Sequence, residues 1–283
     1  MPAKIGVILP AAGSSRRFSQ AGGVRSKLEE ELGGKSVLQR SVEMFTKPES
    51  PDWVVGAIVV PGPADPEAYA EFKARHSDKL SIMGATVCVG GAIHRWETVQ
   101  RALAQLPDDC THIAVHDAAR PCATLELIER VFDAAMKFPA VIPAVEVGDT
   151  LKRVREQDAP DEGRDPLAAI LGEDAAPKDR KRRVVERTVD RDGVFAVQTP
   201  QVFEAALLRR AYAQKDLSGT DDAGLVERLF STPAGREGVS FPHVVVVDGD
   251  VRNIKITRPA DLRLARAILG VGGPHEKPAH KRF

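Results

Sequence analysis

Between residues 5 and 145, short unbroken apolar runs alternate with segments whose apolar residues recur at helical spacing. A run that is apolar at every position suits a strand covered on both faces, and the helices between such strands provide the cover. Ile5-Gly-Val-Ile-Leu9, Trp53–Val60, Thr86–Val89, Thr111–His116 and Val141–Val145 read as strands of this kind. Between them, Ser36–Lys47 sets Val37, Leu38, Ser41, Val42 and Phe45 at helical spacing, with Ser36 as N-cap. Asp65–His76, Arg95–Leu106 and Thr124–Phe138 read as further helices. The pattern predicts an α/β fold, a mostly parallel twisted sheet with helices on both faces.

The rhythm breaks after Val145. From Arg155 to Arg183 the chain is rich in Asp, Glu, Lys, Arg, Pro and Ala. A compact domain rarely holds so long a stretch without elements of its own. Residues 155–183 are therefore expected to be partly disordered, inside an arm insertion spanning about 145–197. The basic run Lys178-Asp-Arg-Lys-Arg-Arg183 reads as a solvated loop. Order is expected to resume near Val184, with a helix over Pro200–Gln214 and another starting at Thr220-Asp-Asp222. Val244–Val247 reads as a strand and Pro259–Leu269 as a closing helix with proline in its first turn. Residues 1–270 are expected to form one domain, with 271–283 a polar tail.

Totals narrow the function. Lys+Arg and Asp+Glu are both 40, a balance unlike that of a dedicated nucleic-acid binder. Three cysteines without CxxC spacing suit a reducing compartment and buried thiols. No apolar run approaches the roughly 18 residues of a membrane span. A strand starting near Lys4 leaves no room for a signal peptide. The expectation is a cytoplasmic protein with no nucleic-acid or membrane partner.

The first strand ends in Pro10, Ala11, Ala12 and Gly13, small residues whose backbone N–H groups can approach an anion. Arg16, Arg17 and Lys27 follow, and a small-residue turn with spaced cations suits a polyphosphate. A glycine turn beside surface arginines is the plainer alternative. Glu29 rules out a Walker A reading of Gly34-Lys35-Ser36, and GxGxxG is absent after the first strand. His116-Asp-Ala-Ala-Arg-Pro121 closes another strand, where ligands collect in open α/β sheets. Asp117 is placed to hold a divalent cation and Arg120 to meet phosphate; a structural Asp–Arg ion pair is the alternative. His116 has no second His or Cys at metal-ligand spacing and reads as a satisfied core histidine. Asp149-Thr150, Thr188–Arg191, Gln198–Gln201, Thr220–Asp222 and Asn253–Thr257 are weak singly, and their threonines read as caps or turns. Lys255 lies between Ile254 and Ile256 in a strand-like segment, so alternation puts it on the opposite face from both.

Taken in order, these segments resemble the 2-C-methyl-D-erythritol 4-phosphate cytidylyltransferase family of the non-mevalonate isoprenoid pathway. The match runs through Pro10–Gly13, Arg17, Lys27, Gly90-Gly91 with Arg95 and Thr98-Val99, His116–Pro121, Asp149–Lys152, Thr188–Arg191, Gln198–Gln201, Thr220–Asp222 and Asn253–Pro259. The resemblance implies a Rossmann-like nucleotidyltransferase fold with a protruding β-arm that interlocks two subunits as a homodimer. It implies CTP and a small polyol phosphate as substrates, and Mg²⁺ as cofactor. Arg17 and Lys27 would stabilise triphosphate charge. Pro10, Ala11, Ala12, Gly13, Gly90, Gly91, Thr98 and Asp117 would line the CTP site, with Asp117 also a metal ligand. Asp117, Arg120, Thr150, Arg191, Thr199, Thr220 and Lys255 would bind the acceptor, Arg191 and Lys255 also being catalytic. The sequence departs from the family pattern at Ser26, where proline is usual, and at Thr98, where serine is commoner. Its Gly90–Val99 segment is one residue longer than usual, and its arm is longer too. An acceptor phosphate is largely a dianion at neutral pH, so attack on the α-phosphorus needs no catalytic base, only alignment and charge neutralisation. Other acceptors such as ribitol 5-phosphate, or nucleotide binding without catalysis, are the alternative functions.

Overall fold

Ile5 and Val7 pack on one face of the first strand and Ile8 on the other, all fully buried, so this strand lies inside the sheet. The computed structural model describes residues 1–272 except 14, 24 and 159–180. The chain divides into two compact units, one joining Met1–Val145 to the chain from Val197 onward, the other Glu146–Ala196. The larger unit begins with β1 (Ala3–Ile8), α1 (Arg16–Gln20), the short hairpin β2 (Glu31–Leu32) and β3 (Lys35–Ser36), and α2 (Val37–Glu43). It continues through β4 (Trp53–Gly62), α3 (Pro66–Ser81), β5 (Ala85–Val89), α4 (Arg95–Leu103), β6 (His112–Val115), α5 (Leu125–Ala135) and β7 (Ala140–Glu146). The smaller unit holds β8 (Leu151–Asp158) and β9 (Lys181–Val189), an antiparallel pair. After β10 (Phe195–Val197) come β11 (Gln201–Glu204), α6 (Ala205–Tyr212), α7 (Asp222–Phe230), α8 (Pro233–Arg236), β12 (Val245–Asp248) and α9 (Pro259–Leu269).

Within the larger unit the strands lie in the order β12-β7-β11-β6-β1-β4-β5. β1 pairs in parallel with β4 and β6, β4 with β5, and β12 with β7. β11 alone among these pairings runs antiparallel, to both β6 and β7. The mostly parallel α/β sheet read from the alternation is therefore present. Leu38, Leu80, Val131 and Leu262 cover one face, and Val99, Leu208 and Val226 the other. Ser36 caps α2 as expected, in a reciprocal capping box with Gln39.

The structure corrects four expectations. The helix expected from Pro200 begins only at Ala205, because Val202 and Phe203, both fully buried, enter ladders on two sides. Two apolar residues between Gln201 and Glu204 cannot be told from a helix turn by spacing alone, and pairing decides it. Residues 155–158 and 181–183, expected within a partly disordered stretch, pair in a hairpin, with Arg155 opposite Val184 and Asp158 opposite Lys181. Residues 159–180, including Lys178, lie outside the described residues. Asn253–Thr257 is not a strand: it forms no ladder, and its Ile256 N–H bonds the Ala119 carbonyl at 2.8 Å. The expected tail starts late, since Gly270 closes α9 in the left-handed region and the Val271 N–H bonds back to the Arg266 carbonyl. Residues 273–283 lie outside the described residues.

Cys110 and Cys122 are buried free thiols, whereas Cys88 is only partly covered. Among the described residues no helix is long and apolar enough to cross a membrane. Phe203 joins β11 to the core, so Phe203→Ala should destabilise the protein by about 3–5 kcal/mol in urea unfolding.

Candidate active site

Loops leaving β1, β4 and β5 at their C-terminal ends meet because their residues are small. The Ala11 N–H bonds the Pro61 carbonyl and the Gly90 N–H the Gly62 carbonyl, both at 2.9 Å. A Cβ on Gly90 would stand 2.3 Å from the Gly62 oxygen and 3.0 Å from Ala12 Cβ, so only glycine permits this approach. Gly91 is as constrained, since its Cβ would meet Glu97 Cβ at 2.3 Å. Thr98 is buried, and its hydroxyl accepts the Gly91 N–H at 3.0 Å. Glu97 accepts the N–H groups of Ala92 and Ile93 at 2.9 and 3.0 Å, which pins the rest of the loop. Gly13 has open space where a Cβ would project. The result is a floor of Ala11, Ala12, Gly13, Gly90 and Gly91 with no side chain larger than a methyl group.

Asp117 follows β6 at the same edge. Its Oδ2 lies 2.9 Å from Lys255 Nζ and 3.2 Å from Arg120 Nε. Burial would raise this carboxyl, but Lys255, Arg95 and Arg120 together hold it well below the usual carboxylate range. The Asp117 N–H donates to Thr199 Oγ1 at 3.0 Å. Arg120 Nη1 donates to the Asn253 carbonyl at 2.7 Å, and Asn253 Nδ2 to the Thr199 carbonyl at 2.9 Å. The ion pair weighed from the sequence thus exists, with Lys255 as a second cation on the same oxygen. Ile256 is buried and Ile254 packs on the core while Lys255 faces Asp117, the alternation expected although the segment is no strand.

His116 is fully buried and is bonded on both ring nitrogens. Nε2 lies 3.1 Å from the Arg120 carbonyl and Nδ1 3.1 Å from Thr199 Oγ1. A carbonyl only accepts, so Nε2 carries the proton and Nδ1 accepts from the Thr199 hydroxyl. That hydroxyl is then free to accept the Asp117 N–H. Burial pushes the imidazole down to about 4, which keeps it neutral. This is the satisfied core histidine that the spacing indicated.

Lys27 belongs to the same field. Burial lowers its ammonium, Lys255 and Arg17 lower it further, and Asp117 opposes them. Arg17, on α1, is exposed. Among the described residues no group of three or more His, Cys, Asp or Glu could hold a metal; Asp117 is the carboxylate that Lys255 and Arg120 share at this edge.

Thr220 is exposed ahead of α7, whose N-cap is Asp221. Thr150 and Arg191 belong to the smaller unit. There Thr150 is exposed, and the Arg191 guanidinium donates to the Gly148 carbonyl. Four residues that the sequence offers only as parts of longer segments also contribute. Gln198 and Asn253 are buried and bonded to each other, Nδ2 to Oε1 at 3.2 Å, beside Thr199. Arg95 pairs with the buried Asp222 at 2.7 Å. The signal was a second acidic residue after a helix cap, and it was read as part of the cap.

A sequence profile described as 2-C-methyl-D-erythritol 4-phosphate cytidylyltransferase matches residues 5–171 and 159–271. A protein of that name from Frankia casuarinae is 36% identical over 94% of this chain and 81% of its own length. One from Symbiobacterium thermophilum is 37% identical over 94% of this chain and 92% of its own. The crystal structure of the Thermus thermophilus enzyme of that name superposes with a TM-score of 0.62 at 28% identity, covering 96% of this chain and all of that one.

The His116 arrangement has an acid limit. Its folded value is depressed, so its contribution to stability is complete above about 6.5 and is lost as pH falls towards 4. The His116 ring resonances should keep their neutral positions at about pH 5.5, where a free imidazole is mostly protonated. A midpoint near 6.5 in an NMR titration would contradict the assigned bonds.

Proposed function

The chain belongs to the 2-C-methyl-D-erythritol 4-phosphate cytidylyltransferase family, and we propose that it transfers the cytidylyl group of CTP to 2-C-methyl-D-erythritol 4-phosphate. The products are 4-diphosphocytidyl-2-C-methyl-D-erythritol and pyrophosphate, in isoprenoid precursor synthesis. The observation that carries this reading is the cation cluster of Lys27, Lys255 and Arg120 around Asp117, at the edge that also holds the small-residue floor.

In this reading an acceptor phosphate oxygen attacks the α-phosphorus in line, and pyrophosphate leaves with the α–β bridging oxygen. The acceptor arrives as a dianion and needs no base. That agrees with a His116 that is buried, neutral and already bonded. Lys27 and Arg17 counter triphosphate charge, while Lys255 and Arg120 receive the acceptor phosphate beside Asp117. Pro10 and the floor from Ala11 to Gly13, with Gly90 and Gly91, take the nucleotide. Thr98 acts by holding Gly91, and Thr199 by holding Asp117.

A single carboxylate fits Mg²⁺, which is commonly held by one or two carboxylates together with substrate phosphates. Asp117 would hold it with CTP oxygens, and the ion would supply further charge neutralisation at the triphosphate. Thr150, Arg191 and Thr220 are proposed acceptor ligands, the first two supplied by the smaller unit as the arm of a homodimer. Support for the pair is the Arg191–Gly148 bond, which ties the guanidinium to the turn that carries Thr150. The enzyme is proposed to work in the cytoplasm.

Purified protein with CTP, Mg²⁺ and methylerythritol phosphate should release pyrophosphate, and ribitol 5-phosphate should not replace that acceptor. Release with ribitol 5-phosphate alone would overturn the acceptor assignment. Lys27→Ala should lower turnover on the order of 10²–10³-fold, as losing one donor to a developing charge does elsewhere. Near-normal turnover would remove Lys27 from the mechanism.

A further inference from the structure

Arg95 opens α4, just after the Gly90–Gly91 loop. Its Nη2 reaches 2.7 Å from Oδ2 of Asp222, the first residue of α7. Asp222 is fully buried, and its Oδ1 accepts the hydroxyl of Tyr212, itself buried on α6. Oδ2 accepts no well-aligned hydrogen bond, so the guanidinium meets it as countercharge. A buried carboxylate left without its cation is strongly unfavourable, and the pair therefore holds Arg95 firmly. The start of α7 is fixed in turn by Gln201, which accepts the Ala223 N–H at 3.1 Å and donates to Asp221 at 2.8 Å. The Arg95 side chain remains 29% exposed and lies close enough to Asp117 to help keep that carboxyl ionised. A guanidinium has five donors in a rigid fork. The Nη2 contact with Asp222 leaves further donors of the fork available.

We propose that Asp222 and Tyr212 are positioning residues that lock Arg95 with its open edge towards the phosphates of CTP bound over Gly90 and Gly91. The proposal rests on reading the cleft as the CTP site. Their two helices, which contribute nothing else to the cleft floor, thereby set nucleotide affinity. A merely structural brace would lower thermal stability but leave the CTP affinity of the folded protein unchanged.

The test is CTP binding by calorimetry in Mg²⁺ on folded wild type, Tyr212→Phe and Asp222→Asn, with melting temperature and acceptor KM measured alongside. Tyr212→Phe removes one hydrogen bond and should weaken CTP about threefold. Asp222→Asn removes the countercharge and should weaken it about tenfold, with acceptor KM moving less than about twofold. Arg95→Gln combined with Asp222→Asn should be no worse than Arg95→Gln alone, because Asp222 acts through Arg95. Unchanged CTP affinity in both single variants, or additive losses, would overturn the proposal. Should Asp222→Asn fail to fold, Tyr212→Phe decides alone. Wild type that binds CTP but releases no pyrophosphate would sink the acceptor reading while leaving this comparison decisive. Wild type that does not bind CTP would sink both.

Discussion

One buried carboxylate organises the active edge. Asp117 sits where burial disfavours its charge, and it stays ionised because Lys255 and Arg120 share its Oδ2 while Arg95 adds to the field. The relation is reciprocal. Lys255 and Arg120 are long, flexible side chains, and a common oxygen fixes both heads without exhausting their donors. Lys27 feels the opposite effect, since Lys255 and Arg17 crowd it with like charge. An anionic substrate relieves that crowding, so the edge is disposed towards a polyphosphate before any contact forms. Removing one member of such a buried set costs more than the set contributes as a whole, because it leaves charge behind uncompensated.

Topology delivers the second half of this arrangement. β11 is antiparallel, so its start lies beside the end of β6, with Gln201 opposite Val115. Gln198 and Thr199 are thereby carried to the edge where the parallel strands β1 and β6 end. Had residues 200–204 formed the helix their neighbours form, Thr199 would have had no ladder to set its place. From that place its hydroxyl links the Asp117 backbone to His116, and its carbonyl receives Asn253. Asn253 in turn starts the segment that presents Lys255. The glycine floor and the charge cluster are thus built by different means, one by excluding side chains and the other by a chain of directed bonds.

How much of this the sequence carried depends on the range of the interaction. β1, β4 and β6 were legible because burial on both faces demands unbroken apolar runs, and the Ser36 cap because its signal is local. Lys255 was legible because alternation holds in any extended segment, even one outside the sheet. β11 was not, since four residues between a proline and a helix take their state from two remote strands. The Arg95–Asp222–Tyr212 link was hidden for the same reason: its partners lie 127 and 10 residues from Asp222 in the chain. The roles given to Thr150, Thr220 and Arg191 come from family resemblance, not from any local pattern in the residues.

The most direct measurement is the titration of the Asp117 side-chain carboxyl by ¹³C NMR in the folded protein, beside a Lys255→Met variant. A carboxylate clamped by cations should remain ionised at about pH 3.5, where an ordinary aspartic acid is more than half protonated. Its midpoint should move up when Lys255 is removed. A wild-type midpoint near 3.8 that ignores Lys255 would contradict the account, because the cations would then be neighbours of Asp117 and not its clamp.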